Sequence, residues 1–148
     1  MAEPGQRTVL AFDFGTRRIG VAVGNELLDC AIRLDPLAAR DGIPDWRVVE
    51  RLVATWQPDL FLVGLPLELD GSELEMFLRA RKFGKRLFGR FGIPCEMVDE
   101  RGSTREAKTI ARKEGHQGNY RQDGVDGIAA ALILESWFIR SQEPPPSA

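Results

Sequence analysis

The sequence predicts an α/β domain built on a mixed five-stranded sheet with helices on both faces. Three observations carry this. From Thr8 to Gly24, β-branched and aromatic residues recur with period two and are interrupted by Gly15-Thr16-Arg17-Arg18, a hairpin signal. Further on, Asp59 to Gly64 is a continuous apolar run between two segments of helical spacing, as expected for a strand covered on both faces. The order of strands first, then alternating helices and strands, adds parallel strands to the hairpin by right-handed crossovers.

The elements follow in order. Val9, Ala11 and Asp13 alternate with Leu10, Phe12 and Phe14, so both faces of the first strand are apolar and it is predicted to be central. Ile19, Val21 and Val23 alternate with Gly20, Ala22 and Gly24 in the second, and Leu27 to Leu34 supplies a third, ended by Pro36. Asp41-Gly42-Ile43-Pro44 reads as a turn, with Asp45 as the N-cap of a first helix. Trp46, Val49, Leu52, Val53 and Trp56 carry that helix to about Gln57, where Pro58 stops it. After the fourth strand, Leu65 to Gly71 is a loop, and Ser72 with Glu75 forms a capping box.

The second helix sets an apolar stripe of Phe77, Ala80, Gly84, Leu87, Phe88 and Phe91 against a basic one of Arg79, Lys82, Arg86 and Arg90. Gly92 and Pro94 close it, and Cys95 to Val98 forms the fifth strand, leading into Asp99-Glu100-Arg101. Ser103 and Glu106 have capping-box spacing for a third helix to about Glu114, and Gly115 to Gln122 reads as a mobile loop. A last helix begins near Asp123 with Val125, Ile128, Ala129, Leu132, Ser136 and Ile139 on one face. The proline-rich tail, residues 142–148, is expected to be disordered, and Trp46, Trp56 and Trp137 have core spacing. This arrangement is the ribonuclease H-like fold class.

At 148 residues, with 43% hydrophobic and 28% charged residues, the chain reads as one soluble domain spanning residues 1–148, ordered from about 7 to 141. No apolar run approaches the ~20 residues of a membrane span, and the N-terminus has no export signal, so a cytoplasmic protein is expected. The two cysteines, Cys30 and Cys95, lack metal-ligand spacing and suit a reducing compartment. A net charge of -2 does not favour nucleic-acid binding, so any such function rests on local patches.

Three acids fall where this strand order brings them together: Asp13 on the first strand, Glu100 just past the fifth, and Asp126 in the first turn of the last helix. With the fourth strand beside the first and the fifth outside it, Glu100 stands ~10 Å from the first strand, a gap its longer side chain helps to cover. Such an oxygen cluster suits Mg²⁺ or Mn²⁺. With two ions ~4 Å apart, one activates a water and the other stabilises the leaving oxygen of a phosphodiester. Each acid also has a plainer role: Asp13 as an ion-pair partner of Arg17 or Arg18, Glu100 and Asp126 as helix-dipole partners. Thr16, Arg17 and Arg18 in the hairpin link, and Arg101, Ser103 and Thr104 (with Arg105) at a helix N-terminus, are candidate phosphate contacts or simply turn and cap chemistry. The basic residues of the second helix, joined by Arg81 and Lys85, form a solvated face or track a nucleic-acid backbone. His116, the only histidine, falls in the mobile loop and is not assigned as a base.

Leu10 to Gly24 resembles the signature of the YqgF/RuvX family. So do Val63-Gly64-Leu65-Pro66-Leu67 with Asp70-Gly71-Ser72, Arg79 to Phe83, Val98-Asp99-Glu100-Arg101, and Val125-Asp126 before an alanine-rich helix. The resemblance runs from about Val9 to Arg140, with the motifs in order. It implies a ribonuclease H-like fold related to Holliday-junction resolvases and a nuclease that matures the 5′ end of pre-16S ribosomal RNA, with junction resolution also proposed. On the resemblance, Asp13, Glu100 and Asp126 take the metal-binding acid positions. The chain departs from the family at Gly102, where a large apolar residue is usual, at Glu68 in place of asparagine, and at Asp123 in a lysine-rich stretch. These departures bear on substrate affinity more than on fold.

The leading expectation is therefore a metal-dependent nuclease acting on precursor ribosomal RNA as a monomer or weak dimer. A four-way DNA junction resolvase, which needs two facing sites, is the alternative. A non-catalytic nucleic-acid-binding module is a third. A sugar-kinase-like nucleotide site, suggested by Asp13-Phe14-Gly15-Thr16, would need a second lobe for which the chain has no room.

Overall fold

The computed structural model describes residues 3, 5–28, 30–65, 73–99 and 125–142. The strands are β1 (Thr8–Asp13), β2 (Arg18–Asn25), β3 (Cys30–Arg40), β4 (Ile43–Pro44), β5 (Leu60–Leu65) and β6 (Cys95–Asp99), and the helices are α1 (Trp46–Trp56), α2 (Glu73–Phe91) and α3 (Val125–Gln142). The sheet order is β4-β3-β2-β1-β5-β6. β1, β2 and β3 pair antiparallel, whereas β5 joins β1 and β6 joins β5 in parallel, so the first strand is central as predicted. The Ser72 cap, the helix expected from Ser103, the loop at 115–122 and the tail lie outside the described residues.

The sheet has six strands rather than five because β3 runs on past Pro36. Ile19 pairs with Leu37 and Val21 with Leu34, so Asp35 and Pro36 together oppose Gly20 in a bulge. A bulge leaves a residue out of the ladder, and the proline ring is accommodated there without the N–H it lacks. β3 therefore reaches Arg40, turns through Asp41 and Gly42, both at positive φ, and pairs with Ile43–Pro44, which the sequence reading gave to the turn. At the other end β3 starts at Cys30 rather than Leu27, and Leu27 and Leu28 are exposed.

α1 matches its sequence signals. Asp45 accepts a hydrogen bond from the Arg47 N–H at 3.0 Å, and Gln57, at φ 46°, donates its N–H to the Val53 carbonyl at the other end. α1 and α2 cover one face of the sheet, where Phe12, Phe61 and Phe83 are buried to the last few per cent. Phe83 meets Phe12 edge-on with ring centroids 5.3 Å apart and stacks on Trp46 at 5.9 Å. The buried side of α2 thus centres on Ala80, Phe83 and Leu87, while Phe88, placed in the apolar stripe by the sequence reading, is 56% exposed. The basic stripe is split as well. Arg79 pairs with Glu75 at 2.7 Å, and the Arg90 guanidinium lies 4.3 Å from the Trp46 ring centre.

α3 covers the other face through Ala130, Ile133, Leu134, Trp137 and Phe138, against Val9, Ala11, Ala22 and Leu62. Its predicted face is only partly right. Ile128 and Ala129 are buried, but Ser136 is exposed and Ile139 is 63% exposed. The helix is apolar around most of its circumference, so periodicity alone does not select the side that meets the sheet. Small residues do: a Cβ on Gly24 would lie 3.0 Å from Leu134 and from Phe138.

A polar clamp fixes the C-terminal half of α3. Trp137 Nε1 donates to Glu96 of β6 at 2.7 Å, and the Arg7 guanidinium sits 5.2 Å from the Trp137 ring centre. Arg7 in turn binds Glu26 at 2.7 Å. Gly24, beneath Phe138, pairs with Val9 near the start of β1.

Two measurements check this packing. Phe83→Ala is expected to cost about 3–5 kcal/mol in urea unfolding, and Phe88→Ala to stay within about 0.5 kcal/mol of the parent. Burial raises the Glu26 pKa, but the hydrogen bonds from the Arg7 side chain and from the Arg7 and Gly5 amides outweigh it and hold the carboxyl below its ordinary 4.5. A depressed folded-state value adds stability that is complete above the unfolded pKa and is lost as pH falls through the folded one. The stability gap between the parent and Glu26→Gln should thus be constant from neutral pH to about pH 5 and close below it.

Candidate functional site

Asp13 is the last residue of β1 and shares the parity of Val9 and Ala11, so it stands on the α3 face of the sheet. Its partners across the ladder are Gly20 on β2 and Gly64 on β5. Neither has a side chain, so only backbone stands directly across the ladder from the half-buried Asp13 on either side. Sequence reasoning singled out the acid but not its two glycine neighbours. The hairpin register, which sets Gly20 opposite Asp13, is the signal that would have found one of them.

The link after Asp13 is held from both ends. Phe14 is buried in the aromatic core, and a Cβ on Gly15 would fall 2.4 Å from the Arg18 carbonyl, so the close turn demands glycine there. The Thr16 carbonyl accepts from Gly42 N–H and the Arg17 carbonyl from Ala39 N–H, each at 2.9 Å, which straps the link to the β3–β4 hairpin. Arg17 is exposed. Arg18, half-buried at the start of β2, shares the parity of Gly20 and Ala22 and so lies on the face that bears Asp13.

The parallel strands bring their carboxyl ends to one edge. Asp13, Gly64 and Val98 form a single row across β1, β5 and β6. Glu96 and Val98 face α3, through the bond to Trp137 and the buried cluster respectively. Asp126 belongs to the first turn of α3, and its side chain is outside the described residues. Glu100, Arg101, Ser103 and Thr104 lie wholly outside them, as do Glu68, Gly102, His116 and Asp123. Among the described residues no three histidine, cysteine or carboxylate side chains converge on one point. Of the three predicted acids, only the Asp13 side chain is described.

Residues 7–140 match the RuvX family, whose description is Holliday junction resolvase. A Chromohalobacter salexigens protein named "Putative pre-16S rRNA nuclease" is 71% identical over 138 residues, which is 93% of either chain. Proteins of the same name from Marinobacter nauticus and Saccharophagus degradans are 57% and 56% identical, over 93% and 94% of this chain and 96% of each of theirs. Thermus thermophilus RuvC, solved in complex with a Holliday junction substrate, superposes with a TM-score of 0.52 at 16% identity, over 90% of this chain and 94% of that one. The yeast mitochondrial Holliday junction resolvase Ydc2 gives 0.51 at 12% identity, over 95% and 81%. At those identities the two structures establish the RuvC-like, ribonuclease H-like fold. Together with the match over residues 7–140, the high-identity relatives establish that this chain belongs to the RuvX family.

Proposed function

We propose that this protein is a divalent-metal-dependent nuclease that hydrolyses phosphodiester bonds at the 5′ end of pre-16S ribosomal RNA, with Asp13, Glu100 and Asp126 as its metal-holding acids. One observation carries the reading: a carboxylate ends the central strand between two glycines, in the row where the parallel strands β5 and β6 bring Gly64 and Val98 beside it. The name shared by relatives at 71%, 57% and 56% identity supports the activity and the substrate.

The donor chemistry fits a hard cation. Asp13 offers carboxylate oxygens, with glycine on either side of it across the ladder. Glu100 follows the end of β6 by one residue in the sequence. All three proposed ligands are oxygen donors, which selects Mg²⁺ or Mn²⁺ over softer metals. A bound pair of such ions would supply a water of lowered pKa and positive charge at the leaving oxygen.

The chain's own residues do the rest. Arg18, on the Asp13 face, is a cation for the scissile phosphate, and Thr16 and Arg17 present the strapped link to the neighbouring one. Arg101, Ser103 and Thr104 are proposed as contacts on the far side of the bond. The protein is proposed to work on ribosomal precursors in the cytoplasm as a monomer or weak dimer; no described helix is long and apolar enough to cross a membrane. The family description favours a second reading, resolution of four-way DNA junctions, for which two copies must act together.

The test uses end-labelled precursor RNA and branched DNA. Asp13→Asn and Glu100→Gln should each lower the cleavage rate roughly a hundredfold or more while keeping the parent's circular dichroism. Chelation should abolish cutting, and Mg²⁺ or Mn²⁺ should restore it. Parental rates in both variants would dismiss the nuclease site, and symmetric cutting of branched DNA by a dimer, with RNA left intact, would select the resolvase.

A further inference from the structure

On its flank toward β6, α2 carries a ladder that the site above does not use. Phe77, Arg81, Lys85 and Phe88 follow one another at spacings of four, four and three residues, so they share one side of the helix. The Arg81 guanidinium lies 5.7 Å from the Phe77 ring centre, and Lys85 has no ion-pair partner among the described residues. Phe88 is 56% exposed although the same helix buries Phe83 completely enough to leave 2%. Beside the ladder opens a cleft of about 460 Å³, with Arg81, Lys85 and Phe88 on its rim.

Gly84, Cys95 and Met97 line the cleft together with Pro94. A Cβ on Gly84 would come within 3.1 Å of Cys95 Sγ and 3.2 Å of Met97 Sδ, so the glycine lets α2 sit directly on the sulfur atoms of the edge strand β6, which form an apolar floor. Burial, assisted by the neighbouring Glu96, pushes the Cys95 thiol up to about 12, which keeps that floor uncharged. An exposed aromatic plate next to a pair of cations over an apolar floor suits an unstacked base and the phosphates that adjoin it.

We propose that this ladder and cleft bind a single-stranded RNA segment flanking the cleaved bond, with a base on Phe88 and phosphates on Arg81 and Lys85. The assignment rests on the RNA-nuclease reading above. Charge selects the occupant: α2 gathers Arg79, Arg81, Lys82, Lys85, Arg86 and Arg90 in a chain of net charge -2, so the field here attracts a polyanion. A second copy docked symmetrically on this face would set those cations against one another. Met97, on the cleft floor, stands in one row with Val63 and Phe12, on the sheet face opposite to Asp13. An RNA strand that occupies both the cleft and the Asp13 site therefore passes round the edge strand β6.

Fluorescence anisotropy with the full chain, a labelled single-stranded RNA of about 12 nucleotides and excess chelator tests this without cleavage. Phe88→Ala should weaken binding roughly tenfold, and Phe88→Trp should bind as the parent does. Arg81→Ala with Lys85→Ala should weaken it further and flatten the slope of log affinity against log salt by about 1.4. Duplex RNA should show no dependence on Phe88. In Mg²⁺, Phe88→Ala should raise KM and leave kcat unchanged, whereas Asp13→Asn should bind like the parent and fail to cut. Cutting by Asp13→Asn would remove the catalytic reading and leave the binding result standing. Parental binding by Phe88→Ala, or equal losses in Phe88→Trp and Phe88→Ala, would overturn the proposal. So would tighter, Phe88-dependent binding of single-stranded DNA, or sedimentation showing a dimer that Phe88→Ala dissociates.

Discussion

A carboxylate cannot be buried alone in hydrocarbon, and β1 is hydrocarbon on both sides. Phe12 is locked among aromatic rings on one face, and Val9 and Ala11 lie under α3 on the other. A charge midway along this strand would cost several kcal/mol. At the last position the constraint relaxes, because Asp13 is only half-buried and Gly20 and Gly64 put no side chain across the ladder from it. The same burial that makes the strand central thus leaves one place for a functional acid, and it gives that acid a rigid base.

Much of the fold was legible because its signals are local. The Asp45 cap and the Pro58 stop define α1, and both faces of β1 being apolar placed it centrally. What was missed depended on tertiary context. Pro36 reads as a strand terminator, yet a bulge against Gly20 carries β3 past it and creates β4. Phe83 and Phe88 are the same residue type five positions apart, and only the position of Trp46 and the sheet decides that one is core and the other surface. α3 is apolar nearly all round, so its sheet-facing side follows from the small residues at Gly24 and Ala22.

The candidate site was legible in part. Asp13 announced itself as the one acid in an apolar strand, and the strand order then named the edge where partners should gather. Its glycine flanks are a register effect, visible only when three strands are aligned. The strand order singled out Glu100 and Asp126 from ordinary helix-start acids, the family motifs implied their metal-holding role, and both side chains lie outside the described residues.

Away from the site, a polar clamp ties the C-terminal half of α3 to the sheet, with Trp137 bound to Glu96 and the Arg7 guanidinium over its ring. The most direct measurement is anomalous diffraction from crystals soaked in Mn²⁺. The account predicts manganese coordinated by Asp13 together with Glu100 and Asp126. Manganese bound elsewhere, or on Asp13 with neither other acid in its shell, would contradict it.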